Sequence, residues 1–196
     1  MVSRQRLWVS GAVLCGVVVG LAAPVRAQDP VEYMVLATSK TSTLDKEMNE
    51  AASAGYIFAA VMGGETAFGG AQGVVVMQKG AEAGTREYRV FATNRTSTMQ
   101  KELASAAAQG FEYVGQTVFE SLFGGSEVVV IAERNPGAEG SARHEYLLVA
   151  SSKTSTLQKE LAEAGGRGFE VVGMTVGRTA LGGSELVAIT RRPVTR

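Results

Sequence analysis

One cysteine, one tryptophan, one histidine and four prolines are all that a chain of 196 residues contains of those types. Cys15 and Trp8 both stand in the first residues, which read as an export signal. Arg4 and Arg6 supply its basic start, "LWVSGAVLCGVVVGLAA" its apolar segment, and "VRA" before Gln28 a small-residue cleavage site after Ala27. Removal of residues 1–27 takes away thiol chemistry and any disulfide framework, although an exported protein is allowed disulfides. The apolar run is too short for a membrane span, which needs roughly 20 apolar residues. Leu14 stands where a lipid-attachment motif at Cys15 wants a small residue. The expected location is periplasmic or extracellular, with no membrane span in the mature chain.

An excess of basic charge is missing too. The signal holds three of the 19 basic residues and none of the 19 acidic ones, leaving 16 against 19 and a formal charge of −3. Nucleic acid is therefore not an expected partner, since its binding domains are strongly basic on at least one face. His144, the sole histidine, lies in the second linker and reads as exposed. It has no second histidine or cysteine to join in a metal cluster or a nucleophile–base pair. Phosphate-loop and dinucleotide fingerprints put their glycines after a strand. Here Gly69-Gly70, Gly124-Gly125 and Gly182-Gly183 precede one, and read as turns. No cofactor or metal is expected.

What is present is repetition. Residues 32–79, 87–134 and 145–192 align without a gap, and the last two agree at 26 of 48 positions. The connections "GAEAGTR" and "NPGAEGSARH" are polar and rich in Gly and Ala, as exposed linkers are. Within each copy "YMVLAT", "YRVFAT" or "YLLVAS" reads as a first strand. A helix follows, its stripe made by Leu44, Met48, Ala51 and Ala52, or by Met99, Leu103, Ala106 and Ala107. Lys46, Lys101 and Lys159 fall opposite the stripe and should face water, while Leu157 and Leu161 should face the sheet. Gly55, Gly110 and Gly168 should end the helices in the left-handed conformation. A second, half-exposed strand carrying Glu112 or Glu170 and a third, basic-ended strand complete the copy.

The predicted architecture is α+β: three tandem βαββ repeats, each a three-stranded sheet with one helix on one face. One copy alone has a thin core, so the three should pack together, a pseudo-three-fold arrangement being one option. The crossover permits the first and second strands to be parallel, with the third antiparallel to its hairpin partner. The order strand, helix, Gly-aromatic, strand, hairpin, basic-ended strand resembles a small bacterial βαββ family known as a domain of unknown function. That family closes its helix in Gly-Trp, where this chain has Tyr56, Phe111 or Phe169. The resemblance implies a fold and carries no activity.

Chemistry-bearing residues are few. Glu47, Glu102 and Glu160 beside the helical lysines, and Glu127 and Glu185 after the Gly-Gly turns, have the placement of solvated surface charges, although paired carboxylates can do acid–base work when one is buried. Tyr33, Tyr88 and Tyr146 read as aromatics at the core edge. The remaining feature is "KTST" or "RTST" at each helix start. Ser97 with Gln100 and Ser155 with Gln158 have capping-box spacing, and Ser42 with Asp45 is a shorter-armed version. The flanking Lys40, Thr41, Thr43, Arg95, Thr96, Thr98, Lys153, Thr154 and Thr156 are candidates for an anion site on the helix dipole. Two functions stay open. One is a non-catalytic exported module acting on a partner protein or in a structure. The other is a small-molecule enzyme or a binder of a small anionic ligand at the helix starts.

Overall fold

Each switch of hydrophobic period along the chain becomes a change of element in the structure, a computed structural model that describes residues 30–66, 70–80, 86–120, 126–137, 143–178 and 183–194. Residues 1–27, the Gly-Gly residues Gly69, Gly124, Gly125 and Gly182, and linker residues 81–85 and 138–142 lie outside the described residues. The first module holds β1 (Tyr33–Thr38), α1 (Thr41–Ser53), β2 (Tyr56–Thr66) and β3 (Gly70–Lys79). The second holds β4 (Glu87–Thr93), α2 (Thr96–Ala108), β5 (Glu112–Glu120) and β6 (Ser126–Arg134). The third holds β7 (His144–Ser151), α3 (Thr154–Gly166), β8 (Glu170–Arg178) and β9 (Ser184–Pro193). Among the described residues the class is α+β, with three helices and three three-stranded antiparallel sheets, one helix to each.

The last strand of each module lies in the middle, in the orders β1-β3-β2, β4-β6-β5 and β7-β9-β8. It pairs antiparallel with both neighbours, so β1 and β2 point the same way without touching. Their parallel direction is the one the crossover permits, and the central strand separates them. Every second strand carries a register shift, between Phe58 and Ala60, Tyr113 and Gly115, and Val171 and Gly173. Such a bulge bends the strand and re-aims its side chains.

The helical stripes are those the spacing predicts. Leu44, Met48, Ala51 and Ala52 are buried in α1, and Met99, Leu103, Ala106 and Ala107 in α2, while Lys46, Lys101 and Lys159 are exposed. Gly55, Gly110 and Gly168 have φ of 89°, 82° and 82°. The aromatic that follows each glycine is clasped by the basic residue closing the central strand. Lys79 Nζ stands 4.5 Å from the Tyr56 ring centre, and the Arg134 and Arg192 guanidinium carbons each 4.6 Å from those of Phe111 and Phe169. The same cations reach back to helix-end carbonyls, Lys79 to Ala54 at 2.6 Å, Arg134 to Gln109 and Arg192 to Arg167 at 3.1 Å each. Each stacked cation contributes about 0.5–1 kcal/mol at such exposed sites.

The core runs across module boundaries. Leu44, Met48, Val75 and Met77 of the first module pack in one cluster with Tyr88, Val90, Val129 and Ile131 of the second. Met99, Leu103, Val128 and Val130 of the second pack with Tyr146 and Ile189 of the third. Strand β6 thus gives alternate side chains to two cores, and all of Val128–Ala132 is at most 2 % exposed.

The glycines of the third module supply a stability test. A Cβ added at Gly165 in α3 would meet nothing within 4 Å, whereas one at Gly173 would overlap the Tyr113 hydroxyl. Gly165→Ala should raise the urea-unfolding free energy by up to about 1 kcal/mol. Gly173→Ala should lower it by about 1–3 kcal/mol through overpacking.

Candidate functional site

Where one module meets the next, an edge strand has to be covered. In β4 the backbone of Tyr88 and Val90 faces outward, and α1 supplies the partners. Asn49 donates from Nδ2 to the Tyr88 carbonyl (3.0 Å) and accepts the Tyr88 N–H at Oδ1 (2.9 Å). Asp45 Oδ1 accepts the Val90 N–H at 2.8 Å. In β7 the equivalent groups belong to Tyr146 and Leu148, and one longer side chain serves both. Gln100 donates from Nε2 to the Tyr146 carbonyl (2.9 Å) and accepts the Leu148 N–H at Oε1 (2.8 Å). Ala104 stands where α1 has Asn49.

The two tyrosines complete each joint. The Tyr88 hydroxyl accepts the Phe58 N–H, and the Tyr146 hydroxyl the Tyr113 N–H, both at 2.8 Å. Both rings are 4 % exposed. Burial pushes the Tyr88 and Tyr146 hydroxyls up from the usual phenol range, and the neighbouring Tyr113 up to about 12, so all three stay protonated at neutral pH. Beside them a ring meets a bare backbone. A Cβ on Gly115 would lie 2.8 Å from the Phe58 ring, and Gly173 faces Tyr113 and Gln116 in the same way. Gln116 Nε2 also donates to the Met174 carbonyl at 2.6 Å.

These joints correct the reading of the helix starts. The N-cap residues are Lys40, Arg95 and Lys153, none with a side-chain cap, so Ser42, Ser97 and Ser155 are second helical residues rather than caps, and all three are exposed. The chain is helical two residues earlier than a serine cap requires because Thr38, Thr93 and Ser151 accept the amides of Lys40, Arg95 and Lys153 at 3.1–3.2 Å. Gln100 is not the far arm of a capping box, since its amide is engaged with β7.

Each candidate anion triplet occupies one helix start. Lys40, Arg95 and Lys153 precede the helix, Thr41, Thr96 and Thr154 open it, and Thr43, Thr98 and Thr156 stand third. Thr96 reaches another module, its hydroxyl donating to Glu185 of β9, which places a carboxylate of the chain at the start of α2. Thr154 and Thr156 are exposed. His144 is corrected as well. It opens β7 with its side chain 13 % exposed, Nδ1 lying 3.5 Å from Glu112, whose other oxygen is 3.6 Å from Arg191. The second linker ends one residue earlier than its composition suggests, because β7 pairs as far as His144 with Pro193.

Clefts at the other end of the modules hold arginines that carboxylates of the chain already engage. One of about 460 Å³ is bordered by Glu145, Arg167, Gly168, Arg192, Pro193 and Val194. Its Arg192 is held by Glu145 at 2.6 Å. Another, of about 180 Å³, holds Arg86 beside Glu133, and Arg134, which bonds Glu87. Among the described residues no group of three His, Cys, Asp or Glu is placed to hold a metal, and no helix is long and apolar enough to cross a membrane.

Comparison adds no relative: no family model, curated protein or solved structure matches the chain. The joints themselves are then the feature to test. Gln100→Ala orphans a carbonyl and an N–H at the joint and should cost about 1–3 kcal/mol. Ser97→Ala should stay within about 0.5 kcal/mol, as exposed substitutions do. Chemical denaturation of the two variants distinguishes a joint from a cap.

Proposed function

We propose that this chain is an exported, non-catalytic protein of three tandem βαββ repeats stacked in an open row, working as a binding or structural element in the periplasm or outside the cell. The observation that carries this reading is the reuse of one joint. The backbone of Tyr88 and that of Tyr146, at corresponding positions of the aligned copies, are each held by the helix of the preceding copy. Each tyrosine hydroxyl is held by the second strand of that same copy. Stacked repeats that bury a shared core are the usual logic of such arrays.

An open row is preferred to closure about a pseudo-three-fold axis because the outer modules keep uncovered faces. Tyr33 is 60 % exposed, against 4 % for its counterparts Tyr88 and Tyr146. Buried residues in α3 are Leu157 and Ala164 alone, where α1 and α2 bury four each. The resemblance to the bacterial βαββ family agrees with the module and adds no activity.

A stacking role uses the polar groups of the joints for structure. It leaves the Lys/Arg-Thr-Ser-Thr segments as helix starts, one of which already faces Glu185. A small anion offered at the start of α2 competes with that carboxylate. Accordingly, phosphate, sulfated sugars and nucleotides at millimolar concentration should leave the melting temperature unchanged. A rise of several degrees that Lys153→Ala and Thr154→Val abolish would instead make the helix starts a ligand site. Turnover of a hydrolase substrate panel, lost on one Glu or Tyr substitution without unfolding, would overturn the non-catalytic reading.

A further inference from the structure

We infer that further copies of this chain dock head to tail through the two faces that its internal joints leave uncovered; the inference rests on the stacked-repeat reading. The head is the outer face of the first module. Tyr33, Val35, Val74 and Val76 there correspond to Tyr88, Val90, Val129 and Ile131, which α1 buries. Tyr33 and Val35 are 60 % and 63 % exposed, and β3 alternates buried with half-buried residues where β6 is buried on both sides. The tail is the outer face of α3 and β8. Leu161 is half-buried where Met48 and Leu103 are 0 % and 1 % exposed, and Val171, Met174 and Val176 are 51 %, 52 % and 49 % exposed.

The two faces match each other position by position, which selects a second copy as the occupant. The tail carries Gln158 at the place of Gln100, exposed and able to take the Tyr33 carbonyl and Val35 N–H of the next chain. Val171 stands at the place of Phe58 and Tyr113, whose N–H groups go to a tyrosine hydroxyl; Tyr33 brings that hydroxyl. The steric pair is exchanged in step. Inside the chain an aromatic (Phe58, Tyr113) meets a glycine (Gly115, Gly173) that has no room for a Cβ. At the ends the receiving residue is Ala60, and the residue that would meet it is the smaller Val171. The extra methyl on one side is matched by a ring removed from the other.

Terminal modules of stacked arrays generally carry a polar outer face, and an edge strand is ordinarily blunted or covered. Here β1 is an edge strand, and both end faces are apolar. The contact is heterologous, so association either closes into a ring or extends as a filament.

Sedimentation velocity on the chain, purified as the cell processes it, tests this with Val35→Asp on the head and Val171→Asp on the tail. Both sites are exposed, and both variants should melt as the parent does in dilute solution. The parent should move with concentration from one chain to integral multiples, as a fixed ring or an open series. Each variant alone should stay a single chain at concentrations at least tenfold higher. An equimolar mixture should form a dimer and stop, since it retains one good head and one good tail. A parent that stays monomeric while melting cooperatively overturns the docking and leaves the stacked-repeat reading intact. Loss of association in Val35→Asp but not in Val171→Asp, with no mixed dimer, overturns it in favour of a head-to-head pair. The stacked-repeat reading fails separately, if Gln100→Ala leaves stability unchanged.

Discussion

The outward edges of β4 and β7 are the constraint on which the arrangement depends. A three-stranded sheet whose last strand sits in the middle leaves its first strand at an edge, with N–H and C=O groups that water or another group must satisfy. In this chain side chains from the preceding helix do it. Asp45 and Asn49 serve β4, and Gln100 serves β7. A buried edge left unpaired costs more than a hydrogen bond gains, so these few polar side chains fix the register of neighbouring modules while apolar burial supplies most of the driving force.

Two different side-chain solutions meet the same requirement. The first joint uses two short residues a helical turn apart, and the second uses one glutamine with an alanine where the other residue stood. Such an exchange is informative about cause. What is kept is the pairing of the Tyr88 or Tyr146 backbone, and what varies is which side chain provides it. The tyrosine hydroxyls and the bulged second strands lock the joint from the other side. The bulge sets Phe58 or Tyr113 against a glycine of the next module, where a larger residue has no room.

Much of the module was legible from period and punctuation. The helical stripes, the left-handed glycines and the water-facing lysines follow from spacing alone, because they depend on the local chain. The order of strands did not, since a βαββ sequence is equally consistent with the third strand at an edge or in the middle. The serines depart from the capping-box expectation for a physical reason. Capping-box spacing describes a local exchange, but Gln100 has a better partner 46 residues away, and the hydroxyl that meets the N-cap amide sits at Thr93, ahead of the segment. The signal that could have shown this was comparative. Tyr33, Tyr88 and Tyr146 are the same residue at aligned positions, yet two of them are core and one is surface. Only the count of neighbouring modules tells them apart.

Amide hydrogen exchange at three aligned positions, Val35, Val90 and Leu148, is the most direct measurement of the central claim. If the preceding helix covers each edge, Val90 and Leu148 exchange slowly, Val90 speeds up in Asp45→Ala and Leu148 in Gln100→Ala, while Val35 exchanges fast in dilute solution and slows as concentration rises. Equally fast exchange at all three positions, indifferent to those substitutions, would contradict it.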